Sequence, residues 1–389
     1  MVAMRPTTLD IDLDALRANL DTAKGLAGGR PLLCVVKANA YGHGLVPVSR
    51  ALADAGAAQL GVATVAEGER LRAAGITLPV LVMGGFLAGE AGAIAAAGLS
   101  PSVFQEQLIA PLAEAARARG ITLEVHVKVG TGMGRIGFAA DQAAEAIRKV
   151  MGTRGLSVAG VFTHFAEADL ADSPAAAEQL ERLAAVYRAL GDDAGAIPFW
   201  HAANSAALIR QLEHGEWAPA SLFRPGIMLY GQPPSDGFQS PVPLHPVATW
   251  KARVIQVKEV PEGTPISYGR TFITRRRSRI ATLPVGYADG YRRELSNKGQ
   301  VLIRGRRCPV VGRVCMDMIM VDVTDLGEAV EVGEEAVLFG RQGQAELSAT
   351  EVATACGTIS YDILCGISER VPRHYPGGSG PFEHSRKNT

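Results

Sequence analysis

The sequence predicts a (β/α)8 barrel of the TIM type followed by a mostly β second domain, and three observations carry that prediction. From Leu32 onward, eight short apolar runs alternate with amphipathic helical stretches over roughly 200 residues, and eight parallel β/α units close a barrel. A Pro/Gly/Ser-rich stretch at 231–246 (GQPPSDGFQSPVPLHP) then interrupts the rhythm, as a linker does. Beyond it, helical periodicity nearly vanishes and Gly, Pro or Asp turns separate strand-like runs.

Residues 10–20 set acidic and apolar residues at helical spacing, with Asp12 or Asp14 as the cap. The apolar runs begin near Leu32, Leu60, Pro79, Leu99, Thr122, Ser157, Phe199 and Ser221. Between them lie helical patterns such as 45–56, 65–75, 104–120, 141–152 and 175–191, several ending in glycine, a common C-cap. In the second half, 247–259, 278–284, 300–314, 319–323 and 335–340 read as strands, and 348–356 as a helix. The predicted domains are therefore a barrel over 1–240 and a β domain over 241–376, with a polar tail at 377–389 that has no packing signal.

Composition narrows the partners. At 47% hydrophobic and 20% charged, the 389-residue chain has the make-up of a soluble globular protein. Acidic and basic residues balance at 39 each, so no net field favours nucleic acid or an anionic membrane. The clusters Arg275-Arg276-Arg277 and Arg304-Gly305-Arg306-Arg307 are short and set among strand-like runs, as solvated loop faces are. Five cysteines form no C-x-x-C pair, which suits reduced thiols in a cytoplasm. The N-terminal stretch has no apolar run of signal-peptide type, and no segment reaches the roughly 18 apolar residues of a membrane span. A cytoplasmic protein with neither nucleic-acid nor membrane partners is the expectation.

Barrels place their working residues at the C-terminal ends of strands. That rule selects Lys37 and Tyr41 after the first run, Lys128 after the fifth, His164 after the sixth, His201 with Asn204 and Ser205 after the seventh, and Arg224 with Gly226 and Ile227 after the eighth. A lysine ending an apolar run is costly to desolvate, so it is paired, reaches solvent, or turns neutral and nucleophilic. Loops after strands seven and eight commonly hold a phosphate, using amides at a helix start. Here Asn204-Ser205 opens a helix over 206–212, and Gly226 lets backbone approach closely. A lysine and a phosphate cradle at one mouth suggest pyridoxal phosphate. The eight histidines show no metal-ligand spacing, so no metal is predicted.

Eight motifs make the chain resemble the alanine racemase family over about residues 8–375: VVKANAYGHG at 35–44, KVGTGMGRIG at 128–137, THF at 163–165, HAANSA at 201–206, RPG at 224–226, SYG at 267–269, CMD at 315–317, and 359–372. The resemblance implies a small-molecule substrate, L- or D-alanine, and a homodimer whose partner completes each site. It implies that Lys37 holds pyridoxal 5'-phosphate through a Schiff base and is the base on one face of Cα, with Tyr268 on the other. A chain from the tyrosine through His201 to Arg224 would tune it, and Arg224 would face the pyridine nitrogen. His164 would pack on the ring and Arg135 would bond its phenolic oxygen and the substrate. Tyr41, Ser205, Gly226, Ile227 and Tyr361 would hold the phosphate, with Asn204 beside them. Met316 and Asp317 would help receive the substrate carboxylate. Tyr287 and Tyr361 would form an inner gate, with Arg293, Arg313 and Asp169 outside it. Lys128 would be carbamylated (N6-carboxylysine). Gly130 departs from the pattern, since the family usually has aspartate there. The readings left beside this one are a serine or broad-specificity racemase, a barrel decarboxylase of basic amino acids, and a non-catalytic cofactor carrier.

Overall fold

A computed structural model describes residues 5–212, 221–326 and 330–376 of the chain; the expected tail at 377–389 lies outside the described residues. The chain forms two compact units, Leu16–His245 and Met1–Ala15 with Pro246–Thr389. Among the described residues, no helix is long and apolar enough to cross a membrane.

The larger unit is the barrel. Its first seven strands, Leu33–Val35, Gln59–Val62, Val80–Val82, Ser100–Val103, Leu123–Gly130, Leu156–Phe162 and Phe199–His201, pair in parallel in that order. The eighth is a short segment around Phe223 that closes the ring. On one side Ser221 and Arg224 amides donate to Trp200 and Ala203 carbonyls; on the other, Leu33 and Val35 amides donate to Phe223 and Pro225. Short strands suffice because both faces are buried, and so the sequence shows continuous apolar runs instead of alternation. The fifth strand is the exception. Val125, Val127 and Val129 alternate with His126 and Lys128, and all five are buried, so polar groups enter the barrel interior. Helices cover the outside, as in Ala143–Met151, which buries Ala143, Ala146, Ile147 and Val150 at helical spacing. Thr64 starts Val65–Ala73 with a capping box that uses Glu67.

The second unit is built on antiparallel sheets. Its largest orders the strands Arg306–Pro309, Gln300–Ile303, Glu335–Gln342, Ala248–Arg253, Thr7–Ile11 and Arg373–His374, with Ala345–Leu347 on Glu335–Gln342. A three-stranded sheet joins Gln256–Val260, Ser278–Leu283 and Ile319–Asp322. Val260, Ile266, Ile280 and Val311 pack as a core under the hairpin Pro265–Ile266/Phe272–Ile273, which carries Tyr268 in its loop.

Several sequence expectations change. The chain begins with the strand Thr7–Ile11, where Thr7, Leu9 and Ile11 are buried in the period-two pattern of a half-buried strand; Asp12 then caps Leu13–Ala27, accepting from the Asp14 and Ala15 amides. The strand Thr7–Ile11 thus belongs with the β unit, because it pairs with Ala248–Arg253 and Arg373–His374, and the later boundary falls at His245/Pro246 instead of 240/241. The run 247–259 divides at Val254–Ile255 into two strands in different sheets. The run 300–314 folds back at Arg304 and Gly305, both at positive φ, as a tight hairpin requires. The arginine clusters are surface features: Arg304 pairs with Glu334, Arg307 with Glu351, Arg276 with Asp325 and Arg277 with Glu259.

Candidate active site

Lys37 stands half-buried where the first barrel strand ends. The four residues after it, Ala38, Asn39, Ala40 and Tyr41, all have φ between 52 and 54°. A left-handed turn of non-glycine residues costs about 1–2 kcal/mol each, so the surroundings must hold it. Ala40 and Gly42 amides donate to Val36 and Ala38 carbonyls, the Leu45 amide donates to Asn39 Oδ1 at 2.8 Å, and Glu67 Oε1 accepts from the Asn39 amide at 3.4 Å. The sequence gives little sign of this turn, because A-N-A-Y reads as ordinary helix and only Asn39 tolerates the conformation readily. Strain concentrated directly behind a lysine marks a functional position.

The turn places Tyr41 against the eighth strand. Its ring lies 4.7 Å from Tyr230, whose hydroxyl donates to the Val35 carbonyl at 3.0 Å. A Cβ on Gly226 would sit 2.6 Å from the Tyr41 hydroxyl, so glycine is required there for space. Ser205 Oγ accepts from the Gly226 amide at 2.9 Å and from the Met228 amide at 3.3 Å. Two donors fill the oxygen's lone pairs, which leaves its own hydrogen to be donated outward. The Gly226 amide is engaged by Ser205, and the absence of a Cβ at Gly226 leaves room for the Tyr41 hydroxyl. Asn204 uses its side-chain oxygen to cap Ser205–Ile209, accepting from the Ala207 amide at 3.0 Å, and this helix is shorter than the expected 206–212. Ile227 opens the turn Ile227–Tyr230.

Beside this cradle, Arg224 is buried and clamped. Its Nη2 donates to the Thr163 and Ala202 carbonyls at 2.8 and 2.6 Å, and its Nη1 donates to His201 Nδ1 at 2.8 Å. His201 Nε2 then donates to His126 Nδ1 at 2.9 Å. Both nitrogens of the fully buried His201 are taken inside the barrel, so it cannot also receive a tyrosine, and that expected role is corrected. The histidine at the mouth is His164, whose Nδ1 lies 3.5 Å from Arg224 Nη2. The pair His126–His201 gave no sequence signal beyond residue type.

Four basic side chains share this mouth. Burial first, then Arg224, Lys128, Arg135 and Lys37, hold His164 well below the ordinary histidine range. Burial, then Arg224 and Arg135, push Lys128 far below the ordinary lysine value, and its Nζ sits 4.4 Å over the Phe162 ring. Arg135 is exposed on the loop after the fifth strand. At Gly130 an added Cβ would find only ordinary contacts, at 3.4 Å or more, so space does not dictate glycine there.

Burial and Arg224 hold His126 down to about 3, and burial, Arg224, His126 and Lys128 hold His201 low as well. These histidines are neutral in the folded chain, whereas the unfolded chain protonates them near the ordinary histidine value of about 6.5. The unfolded state therefore binds more protons below that pH, and stability falls as pH drops from about 6.5 toward 3. The expected slope approaches ~1.4 kcal/mol per pH unit for each histidine. Urea midpoints at about pH 7.5 and about pH 5 should therefore differ clearly; equal midpoints would mean that the histidines are charged in the fold.

The β unit contributes its own group of side chains. Tyr268 is 71% exposed. Its turn includes three residues at positive φ, Ser267, Gly269 and Arg270, and Ser267 Oγ donates to the Arg313 carbonyl at 2.6 Å. The Tyr287 and Ala288 amides donate to the Cys315 and Met316 carbonyls, which fixes Tyr287 beside Met316. Gly286 permits this approach, since a Cβ there would lie 2.3 Å from both carbonyl oxygens. The Asp317 carboxylate pairs with Arg370 at 2.7 Å, so any carboxylate it helps receive is met by backbone and not by this side chain. Tyr287 and Arg293 line one cavity of about 430 Å³ with Gly290, Arg292, Glu294 and Gly366. Tyr361 is half-buried in the helix Ser360–Cys365, Arg313 lies beside Gly269, and Asp169 stands on the barrel loop after the sixth strand.

Comparisons with known proteins bear on both units. Residues 11–234 match the family model for the alanine racemase N-terminal domain, and residues 247–375 the model for the C-terminal domain. The chain is 50% identical over 375 residues to the alanine racemase of Symbiobacterium thermophilum, covering 96% of this chain and 98% of that one. Among solved structures it resembles the alanine racemase of the D-cycloserine producer Streptomyces lavendulae, with a TM-score of 0.89 and 36% identity across 97% of this chain and 98% of that one. The alanine racemase of Bartonella henselae with covalently bound pyridoxal phosphate matches with a TM-score of 0.85 and 29% identity, across 96% of this chain and 100% of that one.

Proposed function

Because the chain belongs to the alanine racemase family and interconverts L-alanine and D-alanine, we propose that it moves the α-proton between two groups on opposite faces of Cα, Lys37 and Tyr268. The observation that carries this reading is a lysine at the end of the first barrel strand, with a strained left-handed turn behind it, whose charge acts on His164 together with Arg224 and Arg135.

Pyridoxal 5'-phosphate fits this mouth. Its phosphate is anionic, and Lys37, Arg135 and Arg224 act on His164 as positive charges. Ser205 and Tyr41 offer hydroxyls to the phosphate, with Asn204 shaping the helix start and Ile227 the adjoining turn. His164 would pack on the ring, Arg135 would reach its phenolic oxygen and the substrate, and Arg224 would face the ring nitrogen. When bound, the cofactor supplies the electron withdrawal that makes the Cα–H bond ionisable. The guanidinium of Arg224 cannot give up its proton, so it would hold a neighbouring ring nitrogen unprotonated and keep the withdrawal moderate. Lys37 Nζ, once neutral, takes the proton on its face, and Tyr268 Oη gives one back on the other. His164, kept neutral by the surrounding cations, is the histidine available to partner that hydroxyl.

A second copy of this chain supplies Tyr268 in the proposed arrangement. Tyr268, Tyr287 and Met316 are 71%, 44% and 52% exposed, which is unusual for large apolar side chains held by ordered turns and is expected of a face that a partner covers. Met316, the Asp317 backbone and Tyr361 then line the substrate's path. The narrow aromatic gate, Tyr287 with Tyr361, favours a small side chain, so alanine is expected ahead of serine. Lys128 is proposed to carry a carbamate. Its neutral Nζ attacks carbon dioxide, an N–C bond forms, a proton leaves, and the resulting anion sits between Arg224 and Arg135. An unmodified lysine mass in protein kept under carbon dioxide would rule this out.

The assay is D-alanine formation from L-alanine by the purified protein, with and without added pyridoxal phosphate and with L-serine in parallel. Fast alanine and slow serine turnover are expected; a loaded protein that racemises neither would favour a cofactor carrier. Replacing Gly226 with alanine should displace the Tyr41 hydroxyl and weaken cofactor binding about tenfold, ~1.4 kcal/mol, with little change in Tm. Unchanged affinity in a fluorescence titration would remove Tyr41 from the cradle.

A further inference from the structure

We propose that Gln179, on the helix Ala175–Leu190, is a positioning residue that ties the loop carrying Arg135 to the loop carrying His164, so that the two side chains keep one relative placement during turnover. The proposal deepens the reading above and rests on it.

Gln179 is 2% exposed, in a row whose other buried members, Ala176, Leu183, Val186 and Leu190, are apolar. A glutamine in such a row is unfavourable unless its polar atoms are all bonded. They are. Its Nε2 donates to the His164 carbonyl at 2.9 Å and to Thr131 Oγ1 at 3.2 Å, and its Oε1 accepts from the Ala166 amide at 2.8 Å. A carbonyl only accepts and a backbone amide only donates, so these partners fix which way the side-chain amide faces.

The string continues past it. Thr131 Oγ1 lies 2.7 Å from Thr163 Oγ1, and Thr163 donates to the Val129 carbonyl at 2.9 Å. With that hydrogen used, Thr131 is the donor of the threonine pair, and every bond from Gln179 to Val129 runs in one direction. One turn along the helix, Arg182 Nη1 donates to the Thr131 carbonyl at 2.5 Å. A Cβ on Gly132 would lie 3.0 Å from Gln179 Cγ, so the loop passes close against the glutamine stem.

Position gives the string its role. The parallel ladder between the fifth and sixth strands ends at the pair Lys128 and Phe162. Beyond that pair the two segments part: the fifth strand runs on to Gly130, pairing with Phe138–Ala139, before its loop leads to Arg135, and the sixth passes into the loop through His164. Thr131, Thr163 and Gln179 are the links that span them there. A glutamine serving the helix alone would bond within the helix or to solvent; this one bonds only to the two loop roots.

The test compares Gln179→Met and Gln179→Glu with the parent as full-length protein loaded with pyridoxal phosphate. Methionine keeps the length and removes all three bonds. Glutamate keeps the acceptor for Ala166, loses both donors, and puts a negative charge next to the His164 backbone; the basic side chains acting on that histidine are Arg224, Lys128, Arg135 and Lys37. Both variants should keep the bound-cofactor absorbance, lose about tenfold or more in kcat, and show faster hydrogen exchange at 131–137 and 163–166 together. Only Gln179→Glu should gain an acid limb in its kcat profile, because the carboxylate makes His164 easier to protonate. A purely structural role would give both variants one pH profile, and that result, or exchange unchanged at either loop, overturns the proposal. Should Gln179→Met fail to fold, Thr131→Val cuts the same string and carries the same exchange expectation. A parent protein that does not racemise alanine would sink the functional reading instead, while the exchange data would still decide for or against the clamp.

Discussion

Replacing Lys37 with alanine should abolish racemisation, with kcat falling about 10⁴-fold or more. The turn after Lys37 is held by bonds from Ala40, Gly42 and Leu45 amides and by Glu67, none of which uses the lysine side chain, so the fold should survive. Activity and the absorbance of the bound cofactor should disappear together, because one amine both holds the group and takes the proton. Retained turnover in Lys37→Ala would move the chemistry to another amine. Lys128 is the candidate the structure offers, since it is buried and pushed toward its neutral form.

Replacing Tyr268 with phenylalanine should leave cofactor binding intact and reduce racemisation about 10²- to 10⁴-fold, the usual range for loss of a positioned acid or base. Phenylalanine keeps the ring, and the Ser267 anchor on Arg313 is untouched. Enantiomers have equal free energies, so steady-state kcat/KM cannot fall for one direction alone. The asymmetry appears in hydrogen exchange. In heavy water the variant should exchange the α-hydrogen of one enantiomer, through Lys37, without inverting it. Parent-rate racemisation of both enantiomers would remove Tyr268 from the reaction.

The barrel was legible because burial on both faces turns each strand into an apolar run, and all eight runs correspond to strands or to the closing segment at Phe223. Lys37, Lys128, His164, His201 and Arg224 could be chosen by position alone, since strand ends in barrels converge. Tyr268, Met316 and Tyr287 rested on the resemblance, because hairpin loops carry no comparable rule. Three features escaped. The strand Thr7–Ile11 was hidden by its proximity to a helix of similar polarity. The left-handed turn at 38–41 runs against residue preference and is held by contacts from Glu67 and Leu45, distant from it or beyond it in the chain. His201 was given the wrong neighbour, because only packing shows that His126 lies 2.9 Å from its Nε2.

The most direct test of two-base proton transfer is the isotope content of the first product molecules. L-alanine carrying deuterium at Cα is converted by the parent enzyme in ordinary water, and D-alanine is collected at low conversion. If one of the pair Lys37 and Tyr268 takes the deuteron on one face and the other supplies a proton on the opposite face, that D-alanine should carry hydrogen at Cα. Deuterium retained in early D-alanine would mean that a single group carries the same atom across, and would contradict the assignment of Tyr268.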